Sequence, residues 1–424
     1  MTPTLLLVLG ALSLIATIVT LVRVRHPAIF SFPIMMTSWL LGEYPLFFIG
    51  TQAVVAAALA ALGGLDEPRG IVGLVLYGIS WAGLLVARHV STLAQPTATA
   101  ALTDALGDDY VDSLDAQRRA SLRTEIDPVA IRHPLRFDDD GLTIDRDIAY
   151  GQHGKRNLLD VYRRTNDVEA APVVLQIHGG AWIIGHKAQQ AQPLLHQLAH
   201  SGYVCVSVNY RLSPRARFPD HIIDVKRAIA WVRENIADYG GDPTTIILTG
   251  GSAGGHLASL AALTPDLTEW QPGFEDVDTS VAGCAPFYGP SDFRDRHAIR
   301  GKLASMEPML GRMVMPVKQS DDPELWDKVS PITHVRADAP PFFIIQGAND
   351  VLVWREEARQ FVDALRAVSR QPVGYWEVPG AQHAFDTFNS RRSWVAVDAV
   401  EHFVGWVEAH ASDRQQTEIA RGDA

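Results

Sequence analysis

The sequence predicts an α/β domain, with a mostly parallel sheet flanked by helices, preceded by an N-terminal transmembrane helical region. Three observations predict it. Residues 1–90 hold four Arg, no Lys and three acids, set among long uncharged runs. From about residue 142 short apolar, β-branched runs alternate with helical stretches of apolar periodicity, the order of a parallel sheet covered by helices. One of those strands runs directly into Gly250-Gly251-Ser252-Ala253-Gly254-Gly255 and then a helix.

About twenty consecutive apolar residues are needed to cross a bilayer. Residues 3–22, 44–64 and 71–87 meet that length, the third only just, and give three spans within residues 1–90. No basic residue precedes the first run, and Arg23-Val24-Arg25-His26 comes after it in place of a small-residue cleavage site, which argues against a signal peptide. Residues 28–41 are apolar but short, with Pro27 before them and Pro33 within, and read as an interfacial or re-entrant piece, or as a fourth span. Arg23, Arg25 and Arg88 flank the first and third runs, whereas Asp66, Glu67 and only Arg69 lie between the second and third. The positive-inside rule then gives a multi-pass protein of the plasma membrane with everything after Arg88 in the cytoplasm.

Residues 91–141 read as a linker packing partly on the α/β domain, with an amphipathic helix expected over 102–123 and a solvated turn at Asp138-Asp139-Asp140-Gly141. Residues 142–411 form the α/β domain and 412–424 a flexible tail. The net charge is -11, of which residues 1–90 contribute +1 and the remainder -12. A surface of that sign excludes nucleic acid as a partner. Cys205 and Cys284 lie in apolar, strand-like runs and read as core residues, not a disulfide.

The strands are expected at 158–162, 173–177, 203–208, 245–249, 281–287, 342–346 and 373–378. Helices are expected at about 221–239, from 253, from about 356, and near 393–408. In such sheets the chemistry sits beyond the carboxyl ends of the strands. Gly250, Ser252 and Gly254 there fit G-x-S-x-G, a sharp elbow that exposes a serine at the amino end of a helix. A serine hydroxyl needs a base to take its proton and an acid to orient that base. Asp350, after the strand 342–346, and His383, after the strand 373–378, come in the expected order; Asp386 is the fallback acid. A tetrahedral intermediate also needs backbone donors. His178-Gly179-Gly180-Ala181-Trp182 comes directly after the strand 173–177, so the amides of Gly179, Gly180, Ala181 and Ala253 are the candidates. His178 reads as a brace for this loop, and Trp182 as packing or pocket wall.

These motifs, with Asn209-Tyr210-Arg211-Leu212-Ser213-Pro214, Pro219 and Asp224, resemble the hormone-sensitive-lipase-like and carboxylesterase branch of the α/β-hydrolases over residues 142–410. The membrane front beside this domain is similar to membrane-associated actinobacterial lipase/esterases. The resemblance implies the α/β-hydrolase fold and a serine hydrolase cleaving small-molecule or lipid acyl esters through an acyl-enzyme, with Ser252 as nucleophile. It implies structural roles for Arg211 and Asp224 as supports of the oxyanion loop. Two departures, Ala181 at the third glycine and Gly251 before the nucleophile, lean toward the esterase and arylformamidase relatives, so amide or formamide hydrolysis stays open. A binding protein without catalysis would have no reason to keep all these parts. Residues 288–333 occupy the place of a cap insertion, where Met306, Met309, Met313 and Met315 could form an adaptable wall or simply pack, and Tyr288 is a candidate pocket residue beside Trp182. No metal-binding or phosphate-loop spacing is present, so no metal or cofactor is implied.

Overall fold

A computed structural model describes residues 1–23, 27–122, 131–165 and 169–411. Arg25 and the expected tail at 412–424 lie outside the described residues. Eight strands form one sheet: β1 (Leu142–Ala149), β2 (Leu158–Arg164), β3 (Ala171–Ile177), β4 (Val204–Val208), β5 (Gly241–Gly251), β6 (Gly283–Phe287), β7 (Phe342–Gly347) and β8 (Val373–Val378). Their order is β1-β2-β4-β3-β5-β6-β7-β8, with β1, β2 and β4 pairing antiparallel and the remaining pairs parallel. Strands β3, β4 and β6 are buried along their whole length, as unbroken apolar runs between two helical layers should be.

The apolar front folds as α1 (Thr2–Leu21), α2 (Ser31–Glu43), α3 (Pro45–Leu59) and α4 (Pro68–Thr92). Among the described residues three helical stretches, Thr2–Leu21, Pro45–Gly64 and Pro68–Leu106, are long and apolar enough to cross a membrane. Leu5, Val8, Leu12, Ile15 and Ile18 of α1 face outward, a stripe suited to lipid rather than water. The inner face carries small residues. A Cβ on Gly10 would overlap the Gly73 carbonyl, and one on Gly73 would lie 2.5 Å from the Leu6 carbonyl carbon, so the two backbones touch. Further along, Ser13 and Thr17 both hydrogen-bond the buried Ser80 hydroxyl, at 2.9 and 2.8 Å. Leu6 meets Gly73 and Thr17 meets Ser80, so α1 and α4 run parallel. Small residues and interhelical hydroxyls are how helices associate where the hydrophobic effect gives no help.

Several boundaries depart from the sequence reading. Among the described residues no continuous helix runs on from 102: α5 (Ala94–Leu106) stops at Gly107, whose φ of 97° a helix cannot accommodate, and a 3-10 turn at Tyr110–Ser113 and a short helix at Ala116–Ser121 follow it. α5 continues almost directly from α4 and packs on β8, where Trp376 Nε1 donates to Thr97 Oγ1 at 3.0 Å. Residues 31–43 are a helix bound to the α/β domain. Strand β1 and helix α6 (Gln192–His200) are additional to the elements the sequence predicts. Further long helices are α7 (Asp220–Asn235), α8 (Ala253–Leu263), α9 (Arg355–Val368) and α10 (Arg391–Ala409), and short helices lie at Gly301–Ala304, Glu307–Met309 and Pro323–Lys328.

The α1–α4 contact gives a direct test. Gly73→Val should lower stability in detergent by about 1–3 kcal/mol through overpacking, whereas Gly78→Val, where a Cβ meets nothing within 4 Å, should be nearly neutral. Equal unfolding midpoints for the two variants would contradict this packing.

Candidate active site

β5 ends at Gly251 and α8 begins at Ala253, so the chain reverses on one residue. Ser252 adopts φ 58° and ψ -119°, a conformation costly for a side chain and typical of functional turns. The turn is held by Ser252 N–H donating to Phe287 O at 2.9 Å and His256 N–H to Ser252 O at 3.0 Å. Gly250 and Gly254 are obligatory here: a Cβ on Gly254 would overlap the Ile177 carbonyl, and one on Gly250 would lie 2.5 Å from the same oxygen. The elbow can therefore close only against the end of β3.

Adjacent strand ends carry the candidate acid and base. Asp350, fully buried after β7, accepts from His383 Nδ1 at 2.8 Å through Oδ2. Its Oδ1 accepts from the Leu352 and Val353 amides at 2.8 and 2.9 Å, and Gln346 Nε2 donates to Oδ2 at 3.1 Å. With Nδ1–H committed to Asp350, Nε2 of the neutral ring is left as the acceptor. The Ser252 hydroxyl makes no hydrogen bond among the described residues, as is common for candidate nucleophiles in ligand-free sites.

Asp386 is placed elsewhere. It accepts a hydrogen bond from the Tyr288 hydroxyl, and burial raises its pKa. Tyr288, at the end of β6, is 3% exposed and its ring centroid lies 4.5 Å from that of His383. A Cβ on Gly251 would fall 2.8 Å from the Tyr288 hydroxyl, so this tyrosine fills the space that an acidic side chain ahead of Ser252 would take. Tyr288 thus packs against the His383 ring. Trp182 is also buried, edge-on to His256 and Phe293 at 5.2 and 5.1 Å, and is packing. Of the candidate wall residues, Met315 is fully buried in the core, and Met306, Met309 and Met313 are partly buried against it.

The loop after β3 lies against the elbow: a Cβ on Gly179 would sit 3.2 Å from Ser252 Cβ. Gly180, Ala181 and Trp182 all have positive φ (115°, 53° and 61°), which turns successive amides in one direction. The Gly179 amide, however, donates to Gln190 Oε1 at 2.6 Å, so it is not open to a ligand here. The amides of Gly180, Ala181 and Ala253 have no hydrogen-bond partner among the described residues. Arg211 forms a forked pair with Asp224 and also binds Asp220, fixing the segment whose Ser213 N–H donates to Trp182 O at 2.8 Å. His178 braces the loop through Nδ1 and Gly179 O at 2.7 Å and stacks on Tyr210. Lys187, buried against Asp147 and Asp160, anchors the far end of the loop; its sequence position carries no signal of this. A broad groove bordered by Arg233, Thr244, Asp276 and Arg336 lies at the amino ends of the strands, remote from Ser252.

Strand order, elbow and glycine loop define the class: this is an α/β-hydrolase. Comparison with known proteins narrows it. The BD-FAE family profile matches residues 159–365. Over 90% of both chains the protein is 43% identical to the probable carboxylic ester hydrolase LipM of Mycobacterium tuberculosis. It is 40% identical to esterase LipQ of the same organism, over 87% of this chain and 83% of that one. Esterase B from Lactobacillus rhamnosis shares the fold, with a TM-score of 0.55, at 23% identity over 66% of this chain and 89% of that one. The chain belongs to the α/β-hydrolase esterase family of these mycobacterial Lip proteins.

Burial holds three histidines neutral: it lowers the pKa from an ordinary 6.5 to about 4 for His178 and His256 and to about 3 for His221. The unfolded chain takes up these protons as pH falls through 6.5, while the folded chain resists until about pH 4. The stability they supply is therefore complete above pH 6.5 and lost as pH falls from about 6.5 to 4 for His178 and His256 and to about 3 for His221. The unfolding midpoint should drop over that window, less steeply in His256→Gln; a flat midpoint would contradict the burial of neutral imidazoles.

Proposed function

We propose that the protein is a membrane-embedded carboxylic-ester hydrolase working through Ser252, Asp350 and His383. The observation that carries this reading is the buried Asp350–His383 hydrogen bond beside a strained serine elbow. Ser252 Oγ attacks the ester carbonyl while His383 Nε2 takes its proton. The negative charge on the tetrahedral oxygen is met by the amides of Gly180, Ala181 and Ala253. His383 then returns the proton to the departing alkoxide, leaving an acyl-serine. Water attacks that acyl group with His383 again as base, releasing the acid and restoring Ser252.

The substrates are short- to medium-chain or lipid-derived acyl esters. This rests on the names of the relatives as ester hydrolases and on the apolar N-terminal helices, of which α1 and α2 reach the loops of Asp350 and His383. The protein spans the plasma membrane with the hydrolase domain in the cytoplasm, a reading supported by Arg23 and Arg88 on one side and Asp66 and Glu67 on the other.

Ser252→Ala should lose roughly 10⁴-fold or more in kcat for a soluble ester. Asp350→Asn should be severely impaired and Asp386→Asn much less so; the reverse ranking would reassign the acid. In a panel of matched esters, amides and formamides the esters should turn over fastest, and a faster amide would contradict the ester assignment.

A further inference from the structure

The loops that carry Asp350 and His383 are held by the apolar helices. Gln382 precedes His383 and is 3% exposed. Its Oε1 accepts from two buried amides, Val351 and His383 itself, both at 2.9 Å. One carbonyl oxygen thus ties the residue after Asp350 to the backbone of His383. The same amide group donates through Nε2 to Ser38 Oγ of α2 at 2.8 Å, and Ser38 is buried and in turn donates to Ile34 O at 2.6 Å. A second contact reaches the Asp350 loop from α1. Thr20 O, in the last turn where helix carbonyls lack intrahelical partners, accepts from Asn349 Nδ2 at 3.0 Å. Arg392, with Ser390, closes on the end of α2 by binding Gly42 O and Glu43 at 2.9 Å. Arg23 pairs with Glu356 at 2.7 Å and stacks over Trp354.

We propose that Gln382 is a positioning residue that sets the Asp350–His383 pair, and that Ser38 of α2 fixes its amide, so that the apolar helices complete the catalytic site. This role rests on the proposed assignment of Asp350 as acid and His383 as base. A glutamine bridging two buried N–H groups leaves both unsatisfied when its oxygen is removed, and the flanking loops then move apart. Small displacements of an acid–base pair lower the rate of the chemical step while substrate binding elsewhere is unaffected.

The test uses the full chain in detergent or vesicles with a soluble short-chain ester. Gln382→Leu should lower kcat about 10- to 100-fold, and Ser38→Ala about 3- to 10-fold, with KM near that of the unaltered enzyme. Ser38→Thr, which keeps the hydroxyl, should restore kcat. Wild-type kcat in Gln382→Leu would overturn the positioning role. Wild-type kcat in Ser38→Ala, or no rescue by Ser38→Thr, would overturn the part assigned to α2. Ser38→Ala removes a single oxygen, so it remains decisive if Gln382→Leu does not fold. Ser252→Ala and His383→Ala measured alongside separate the two readings: activity persisting in these would refute the triad itself.

Discussion

The meeting of β3 and β5 at their carboxyl ends is the constraint on which the site depends. Gly254 starts α8 against the Ile177 carbonyl with no room for a Cβ, and Gly250 faces the same oxygen from the strand side. Because these backbones touch, Ser252 is forced into a positive φ at the tip of the turn, and the loop leaving β3 comes within contact distance of it. The proposed nucleophile and its backbone donors are therefore one assembly, positioned by the sheet and not by flexible side chains. Such rigid placement is what lets fixed dipoles act on charge that appears only in the transition state.

Asp350 and His383 are placed differently. Their strands, β7 and β8, lie beyond β6, and the loops that leave them meet α1 at Thr20, α2 at Ser38 and the end of α4 at Val90. Asn349, Gln382, Ser390 and Arg392 all donate to the apolar helices, to the Thr20 and Gly42 carbonyls, the Ser38 hydroxyl and the Glu43 carboxylate. The buried Arg392–Glu43 pair is costly to break from either side. Attachment of the apolar helices and the geometry of the Asp350–His383 pair thus share the same hydrogen bonds.

Much of this is legible in the sequence, and the remainder is hidden for physical reasons. Ser252, Asp350 and His383 stand at strand ends in a readable order, because elbows and strand termini demand particular small residues. Strand β1 is half exposed and β-bulged, so it lacks a clean alternation, and the histidines and glutamines of α6 mask its apolar face. Gly107 ends a helix that charge pattern alone extends to residue 123. The occupation of the Gly179 amide by Gln190, and the burial of Tyr288 and Trp182, depend on side-chain packing that no local pattern encodes. The Ser38–Gln382 and Thr20–Asn349 contacts join residues more than three hundred positions apart, and neither carries a motif.

Covalent capture of the nucleophile tests the central claim most directly. The full chain would be treated with a fluorophosphonate, which requires a serine activated by its base, and the adduct mapped by peptide mass spectrometry. A single adduct on the peptide containing Ser252, lost in His383→Ala, is the predicted result. No adduct, or labelling at another residue, would contradict the account.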